Sequence, residues 1–192
     1  MELDNEINYI VSGLERSGTS MLMQILNAGG YPISFDKSRK PDIYNPKGYF
    51  ELEGGKIINK LMEGIFPLEL YKGEFIKITS YGLKYLPEGK YKIIYSERNI
   101  DEILDSMEKM TGEKDKDRLK NKDSFQKLNN MIKNKIISRK DVEVLFLKYN
   151  EIIKESEKNI KKIISFLKIN NLDVEEMMSV IDPGLYRHRR SD

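Results

Sequence analysis

The residues best suited to chemistry form a short loop, which reads Gly13, Leu14, Glu15, Arg16, Ser17, Gly18, Thr19 and Ser20. The β-branched and aromatic run Tyr9–Ser12 before the loop has the pattern of a buried strand. After the loop, the apolar residues of Met21–Leu26 fall on one face of a helix. A strand, a glycine-bounded loop and a helix N-terminus together direct backbone N–H groups at an anion. The sequence therefore predicts an anion site, the alternative being an ordinary turn capped by Ser17 or Thr19.

The loop can be compared with the nucleotide-binding pattern G-x-x-x-x-G-K-[ST]. Gly13 and Gly18 keep the spacing of the two glycines, and Ser20 fills the final hydroxyl position. Thr19 stands at the lysine position, and a positive charge lies three residues earlier, at Arg16. We expect this loop to bind a phosphate-like group differently from an ATPase, because that lysine normally reaches the β- and γ-phosphates.

The letters RSGTS between a strand and a helix resemble the 5′-phosphosulfate loop of sulfotransferases. The resemblance implies a P-loop-like fold and the sulfuryl donor 3′-phosphoadenosine-5′-phosphosulfate. It also implies that residues 13–20 cradle the donor and that Arg16 neutralises charge on the leaving 5′-phosphate. Glu15 is the one letter that does not fit, since a carboxylate beside a polyanion is unfavourable unless it points outward.

A second motif follows the strand candidate Lys92–Ser96. Arg98 lies at the end of this strand, and Ser106 lies eight residues later, two turns into a predicted helix. Sulfotransferases have a similar Arg and Ser, which bind the 3′-phosphate of the donor. The resemblance implies that Arg98 and Ser106 select this phosphate. The alternative is a surface arginine and a solvent-facing serine.

The segment Asn45–Glu51, NPKGYFE, resembles a bacterial branch of small sulfotransferase-like proteins. Sulfuryl transfer to a hydroxyl needs a base that accepts the proton of the acceptor. Some branches of the family use a His and others a Glu, and the only histidine here, His188, lies four residues from the chain end. Glu51 is therefore the expected base. The alternative is a glutamate that stabilises the N-terminus of a helix predicted over Tyr49–Ile65.

Two further cationic features could serve the same reaction. Lys77, inside the strand candidate Glu74–Thr79, would steady the transferring sulfuryl group, or else face solvent from the sheet. Near the chain end, Arg187 and Arg189 could close over the 3′-phosphate, as a late basic segment does in the family. The alternative is a disordered basic tail with His188 as a bystander.

Composition excludes several classes of function. The 192 residues suggest one domain over 1–192, and 33 basic against 31 acidic residues give no case for binding nucleic acid. Without cysteine, a disulfide framework and a thiolate zinc site are impossible, and a single histidine excludes a multi-histidine site. No metal is expected. No apolar run has the length of a membrane span and the start MELDNEIN is acidic, so we expect a cytoplasmic protein without a membrane partner.

The order of elements predicts the fold class. Four strand candidates, the fourth at Val142–Leu147, alternate with helical patterns at Tyr49–Ile65, Asn99–Met110, Thr111–Ile137, Glu151–Leu167 and Val174–Val180. This order predicts a three-layer α/β/α fold, P-loop NTPase-like, with a mostly parallel sheet of four to five strands. Ligands of such sheets bind beyond the carboxyl ends of the strands, so the loop 13–20 and the turn after Ser96 should share one cleft.

Together these features predict a sulfotransferase that moves a sulfuryl group from 3′-phosphoadenosine-5′-phosphosulfate to an acceptor hydroxyl or amine. Two alternatives remain: a degenerate sulfotransferase fold that binds a nucleotide without transfer, and a P-loop kinase or NTPase. The acceptor, a small molecule or carbohydrate, should contact the variable stretches Ser34–Lys47 and Thr111–Lys135.

Overall fold

The computed structural model describes residues 2–169, 173–187 and 190. Within them the strands are β1 (Asn8–Gly13), β2 (Phe75–Lys77), β3 (Tyr91–Glu97) and β4 (Val142–Lys148). The α-helices are α1 (Thr19–Ala28), α2 (Ile57–Met62), α3 (Ile100–Thr111), α4 (Arg118–Ser138), α5 (Tyr149–Lys154), α6 (Ser156–Leu167) and α7 (Val174–Ser179). Short 3₁₀ turns cover Glu53–Gly55, Leu68–Tyr71, Ser80–Tyr85 and Pro183–Leu185.

The sheet is parallel throughout, with the strand order β2-β1-β3-β4. Ile10 of β1 pairs with Ile76 of β2 and with Ile93 of β3, so β1 is paired along both of its edges. Every residue of β1 is buried, which is the pattern of a strand covered on both faces. The predicted parallel sheet is confirmed, at the lower of the two predicted strand numbers within the described residues.

Alternation along the strands divides the core into two layers. On one face, Val11 and Ile94 pack with residues of α1, α5, α6 and α7. On the other face, Ile10, Ile93 and Tyr95 pack with residues of α2 and α4. Helices therefore cover both sides of the sheet, and the predicted three-layer architecture is confirmed.

Two predicted helices differ from those in the structure. Where one helix was predicted over Tyr49–Ile65, α2 begins only at Ile57, because Phe50, Glu53 and Gly54 adopt left-handed backbone angles. Where one helix was predicted over Glu151–Leu167, the chain forms α5 and α6 with a break at Glu155.

A side chain stabilises the break between α5 and α6. The Asn159 side-chain amide donates to the carbonyl oxygens of Glu151 at 2.9 Å and of Glu155 at 3.0 Å. It thereby satisfies backbone acceptors at the interruption. The apolar periodicity is the same for one helix or two, so it gave no sign of this break.

The carboxyl ends of β1, β2 and β3 lie at one edge of the sheet, where two segments meet above them. The long loop after α1 contributes Lys47, whose Nζ donates to the carbonyl oxygen of Val180 at 2.8 Å. From the C-terminal side, an Arg187 nitrogen donates to the carbonyl oxygen of Ile43 at 3.0 Å. These bonds bring the loop and the C-terminal segment together over the strand ends. Within the described ranges, no helix is both long enough and apolar enough to cross a bilayer.

Candidate functional site

Both glycines of the loop between β1 and α1 are required by its close packing. Gly13 has a φ of 152°, and a Cβ there would lie 2.6 Å from the carbonyl oxygen of Ser96. Gly18 has a φ of 102°, and a Cβ there would lie within 2.7 Å of the Tyr149 ring. Neither position accepts a side chain, because both the backbone angle and the space exclude it. The loop is therefore held tightly between the end of β3 and the start of α5.

The inside of the loop offers hydrogen-bond donors to an anion. Ser17 is fully buried, and its Oγ has no hydrogen-bond partner among the described residues. The Gly18 carbonyl accepts from the amides of Met21 and Leu22, so α1 begins directly after the loop. The first amides of a helix have no partner within it and can bind an anion. The start of α1 therefore offers amide donors to a phosphate-like ligand, whereas the Ser17 hydroxyl is buried against Gly13.

Arg16 connects the loop to the second predicted motif. Its Nε donates to Ser106 Oγ at 3.1 Å, and an Arg98 nitrogen donates to the Arg16 carbonyl oxygen at 3.0 Å. Arg16 itself has a φ of 63°, rare for a side chain other than glycine. The alternative of a surface arginine and a solvent-facing serine is wrong, because the Arg98 side chain is 8% exposed and Ser106 is 6% exposed.

A buried ion pair lies at the end of β2. Lys77 Nζ is 3.0 Å from Glu51 Oε1 and donates to Ser20 Oγ at 3.3 Å and to the Tyr49 carbonyl oxygen. Lys77 is 6% exposed, so the alternative of a solvent-facing lysine is wrong. Burial lowers the pKa of Lys77 below the usual lysine value, although the Glu51 carboxylate opposes the shift. The ion pair thus places a cation beside the last residue of the loop.

Glu51 is held by a second cation, which the sequence did not single out. Arg39 donates to Glu51 Oε2 at 3.1 Å, and its guanidinium lies 3.5 Å from the centre of the Tyr49 ring. Tyr49 in turn donates to Asp42 Oδ2 at 2.7 Å. Burial, followed by this hydrogen bond, raises the pKa of Tyr49. Glu51 precedes α2 by six residues, so the alternative of a helix N-terminal glutamate is wrong.

Most predicted residues line one cleft: Glu15, Arg16, Gly18, Thr19, Ser20, Glu51, Lys77, Arg98, Ser106 and Arg187. Gly13, Leu14 and Ser17 are buried beneath it. Glu15 is exposed at the rim. Arg189 and His188 lie outside the described residues.

Other lining residues lie outside the predicted motifs, and they include Arg39 and Tyr44 of the long loop and Lys109 of α3. The only sequence signal for Arg39 and Tyr44 was the polar composition of that loop. Asn45, which opens the segment Asn45–Glu51, also lines the cleft. Among the described residues, no group of three or more His, Cys, Asp or Glu side chains could hold a metal ion.

The comparisons with known proteins identify the family. The family model described as sulfotransferase domain matches residues 6–183. The chain belongs to the sulfotransferase family. No curated protein sequence matches this family member.

Solved structures agree with the fold. A mouse sulfotransferase complexed with PAP is 18% identical with a TM-score of 0.52; the match covers 91% of this chain and 62% of the mouse chain. The sulfotransferase domain of the Synechococcus PCC 7002 olefin synthase is 13% identical with a TM-score of 0.54, over 95% of this chain and 83% of that domain. At these identities the likeness is one of fold. The present sulfotransferase chain spans less than two thirds of the mouse protein.

Proposed function

We propose that the protein transfers a sulfuryl group from 3′-phosphoadenosine-5′-phosphosulfate to a hydroxyl or amine of a small-molecule or carbohydrate acceptor in the cytoplasm. The observation that carries the proposal is one cleft that combines the loop 13–20 with two further pairs of side chains. Lys77, paired with Glu51, contacts the loop at Ser20. Arg98 and Ser106 contact the loop at Arg16. A donor with two separate phosphate groups and one transferable sulfuryl group suits this layout.

On the donor side, we assign the loop to the 5′-phosphosulfate. The amides at the start of α1 and the Arg16 guanidinium would bind its oxygens, together with Thr19 and Ser20, which line the cleft. Arg98 and Ser106 would bind the 3′-phosphate, assisted by Arg187 and Arg189. The mouse relative in complex with PAP supports the choice of a phosphoadenosine donor.

At the reacting centre, we assign the charge-stabilising role to Lys77 and the base to Glu51. The acceptor oxygen forms a bond to sulfur while the bond from sulfur to the 5′-phosphate oxygen breaks, and that oxygen keeps the electron pair. Glu51 takes the acceptor proton. Lys77 donates to the sulfuryl oxygens, and Arg16 stabilises the negative charge on the leaving phosphate. The step needs no metal, because these two cations supply the positive charge.

Arg39 must move away from the Glu51 carboxylate before Glu51 can act as this base. Glu51 Oε1 is paired with Lys77 and Glu51 Oε2 with Arg39, so neither carboxylate oxygen faces an acceptor while both ion pairs are in place. The Arg39 side chain is 40% exposed and belongs to a loop, so an acceptor that enters the cleft can replace it beside Glu51. If it does not yield, the protein binds the nucleotide without transfer, which is the second candidate function.

The acceptor should contact the part of the cleft formed by the long loop. Tyr44 and Asn45, both within Ser34–Lys47, line the cleft. On the other wall, Lys109 and Met110 line it immediately before the stretch Thr111–Lys135. Both walls combine polar and apolar atoms, which suits an alcohol or sugar.

Calorimetry with 3′-phosphoadenosine 5′-phosphate and with ATP plus Mg²⁺ tests the nucleotide assignment. We expect micromolar or tighter binding of the first ligand and weaker binding of the second. Tighter binding of ATP would overturn the assignment in favour of a P-loop kinase or NTPase. Transfer of ³⁵S from the labelled donor to a panel of phenols, alcohols, amines and sugars then tests activity. Nucleotide binding without transfer to any acceptor would support the second candidate.

A further inference from the structure

A buried carboxylate that the proposed reaction does not use lies behind Arg98. Glu102, in the first turn of α3, is 2% exposed. Its Oε2 accepts a hydrogen bond from Arg98 Nε at 2.9 Å. A carboxylate is costly to bury unless its partners compensate for the lost water. Because Glu102 contacts Arg98, which is proposed to bind the 3′-phosphate, its carboxylate is placed to affect how that phosphate binds.

The second oxygen of Glu102 binds the C-terminal segment. Glu102 Oε1 accepts from the Tyr186 hydroxyl at 2.7 Å and from the Arg190 backbone amide at 3.0 Å. The Arg190 side chain strengthens this attachment with bonds of 2.8 and 2.9 Å to the Asp105 carboxylate. One carboxylate thus joins the end of β3, the start of α3 and the C-terminal segment.

These contacts fix the Arg98 guanidinium on several sides. Glu102 accepts from its Nε, and the Arg16 carbonyl oxygen accepts from its Nη1 at 3.0 Å. The rings of Tyr149 and Tyr186 lie 4.6 and 5.4 Å from its central carbon. Arg98 nevertheless lines the cleft. A guanidinium held in this way loses little conformational freedom when it binds an anion.

We infer that Glu102 is a positioning residue, which aims Arg98 at the 3′-phosphate of the donor and anchors the C-terminal segment beside it. The inference rests on the proposed function. A carboxylate at this place also repels the phosphate. Positioning of Arg98 strengthens binding of the 3′-phosphate, whereas repulsion by the Glu102 carboxylate weakens it. The measured affinity of the nucleotide therefore decides between the two effects.

Binding of two nucleotides tests the inference. Calorimetry gives the dissociation constants of 3′-phosphoadenosine 5′-phosphate and of adenosine 5′-phosphate, which lacks the 3′-phosphate. We expect Glu102→Ala to lower the ratio of the two affinities about tenfold or more, as loss of a hydrogen bond to a charged group predicts. Glu102→Gln keeps an acceptor for Arg98 and should retain more of the ratio than Glu102→Ala.

Each other outcome overturns the inference. An unchanged ratio, or an equal loss of affinity for both nucleotides, would mean that Glu102 only stabilises the fold. A higher ratio would mean that its carboxylate only repels the phosphate. A wild-type protein that does not prefer the 3′-phosphorylated nucleotide would instead refute the proposed function.

Two further variants make the test robust to misfolding of Glu102→Ala. Tyr186→Phe keeps the ring over Arg98 but loses the bond to Glu102, so the ratio should fall in the same direction by a smaller factor. Glu108→Gln is the matched control, because Glu108 lies on the same helix and instead accepts from the Asp115 amide at 2.8 Å. It should keep the wild-type ratio.

Discussion

Lys77 Nζ and Glu51 Oε1 lie 3.0 Å apart in a buried ion pair at the end of β2. The same Nζ donates to Ser20 Oγ at 3.3 Å. The loop therefore has a buried cation at its last residue, although Thr19 stands where a P-loop has its lysine. Lys77, the last residue of β2, thus places a positive charge near the position where Thr19 replaces the P-loop lysine.

Lys77→Met should lower kcat for transfer by about 10²–10³-fold, as the loss of one preorganised donor at the proposed reacting centre predicts. Nucleotide binding should persist, because the proposed contacts of the loop and of Arg98 with the nucleotide do not involve Lys77. Turnover with ³⁵S-labelled donor and calorimetry with 3′-phosphoadenosine 5′-phosphate measure the two effects.

Lys92→Met is the matched control for this substitution. Lys92 is also 6% exposed within a strand, but its Nζ donates to the Phe166 carbonyl oxygen and not into the cleft. It should lower stability and leave kcat near the wild-type value. An equal loss of kcat in both variants would show that Lys77 takes no part in the reaction.

The lowered pKa of Lys77 predicts a dependence on pH. Transfer that needs the Lys77 cation should decline at a pH below the ordinary lysine pKa of about 10.4. The stability of the protein should change with pH in the opposite direction. Lys77 binds its proton more tightly in the unfolded chain than in the folded protein, so the free energy of unfolding rises with pH between the folded-state and the unfolded-state pKa of Lys77.

Chemical unfolding of the wild type and of Lys77→Met across alkaline pH measures this second effect. The wild type should gain stability relative to the variant as pH rises through that window. A difference that stays constant over the window would contradict the lowered pKa.

Local features of the sequence predicted most of the fold. The run Tyr9–Ser12 and the two loop glycines act through near neighbours in the chain, so the strand, loop and helix follow from local physics. The environment of Lys77 does not follow from local sequence, because it depends on the distant segment that covers the end of β2. Arg39 lies within a polar loop and shows no spacing that relates it to Glu51. By contrast, the contact of Arg98 with Glu102 is local, because Arg98 lies two residues before α3 and Glu102 lies in the first turn of that helix.

Ser106→Ala should weaken binding of 3′-phosphoadenosine 5′-phosphate without loss of fold. Ser106 Oγ accepts from Arg16 Nε at 3.1 Å, and the variant would lose both this bond and the proposed bond to the 3′-phosphate. The cost should be roughly 1–3 kcal/mol of binding free energy. Calorimetry measures it, and Ser124→Ala on the surface of α4 is the control.

The double variant Arg16→Ala/Ser106→Ala tests whether the two residues act together. Contacting residues are not additive, so the double variant should lose less binding free energy than the sum of the single losses. Arg16→Ala alone should abolish transfer while the thermal unfolding transition remains cooperative. Additive losses would show that the hydrogen bond from Arg16 Nε to Ser106 Oγ does not couple the two proposed phosphate sites.

Gly18→Ala should destabilise the protein and eliminate nucleotide binding. The new Cβ would lie within 2.7 Å of the Tyr149 ring at a φ of 102°, so the loop must shift away from α5. Gly112→Ala is the matched control, since Gly112 has a φ of 73° at the end of α3 and an added Cβ there would lie in open space. The control should cost about 1 kcal/mol from backbone strain alone. Thermal unfolding and calorimetry compare the two, and a Gly18→Ala variant that binds nucleotide like Gly112→Ala would show that the loop does not need this packing to hold its ligand.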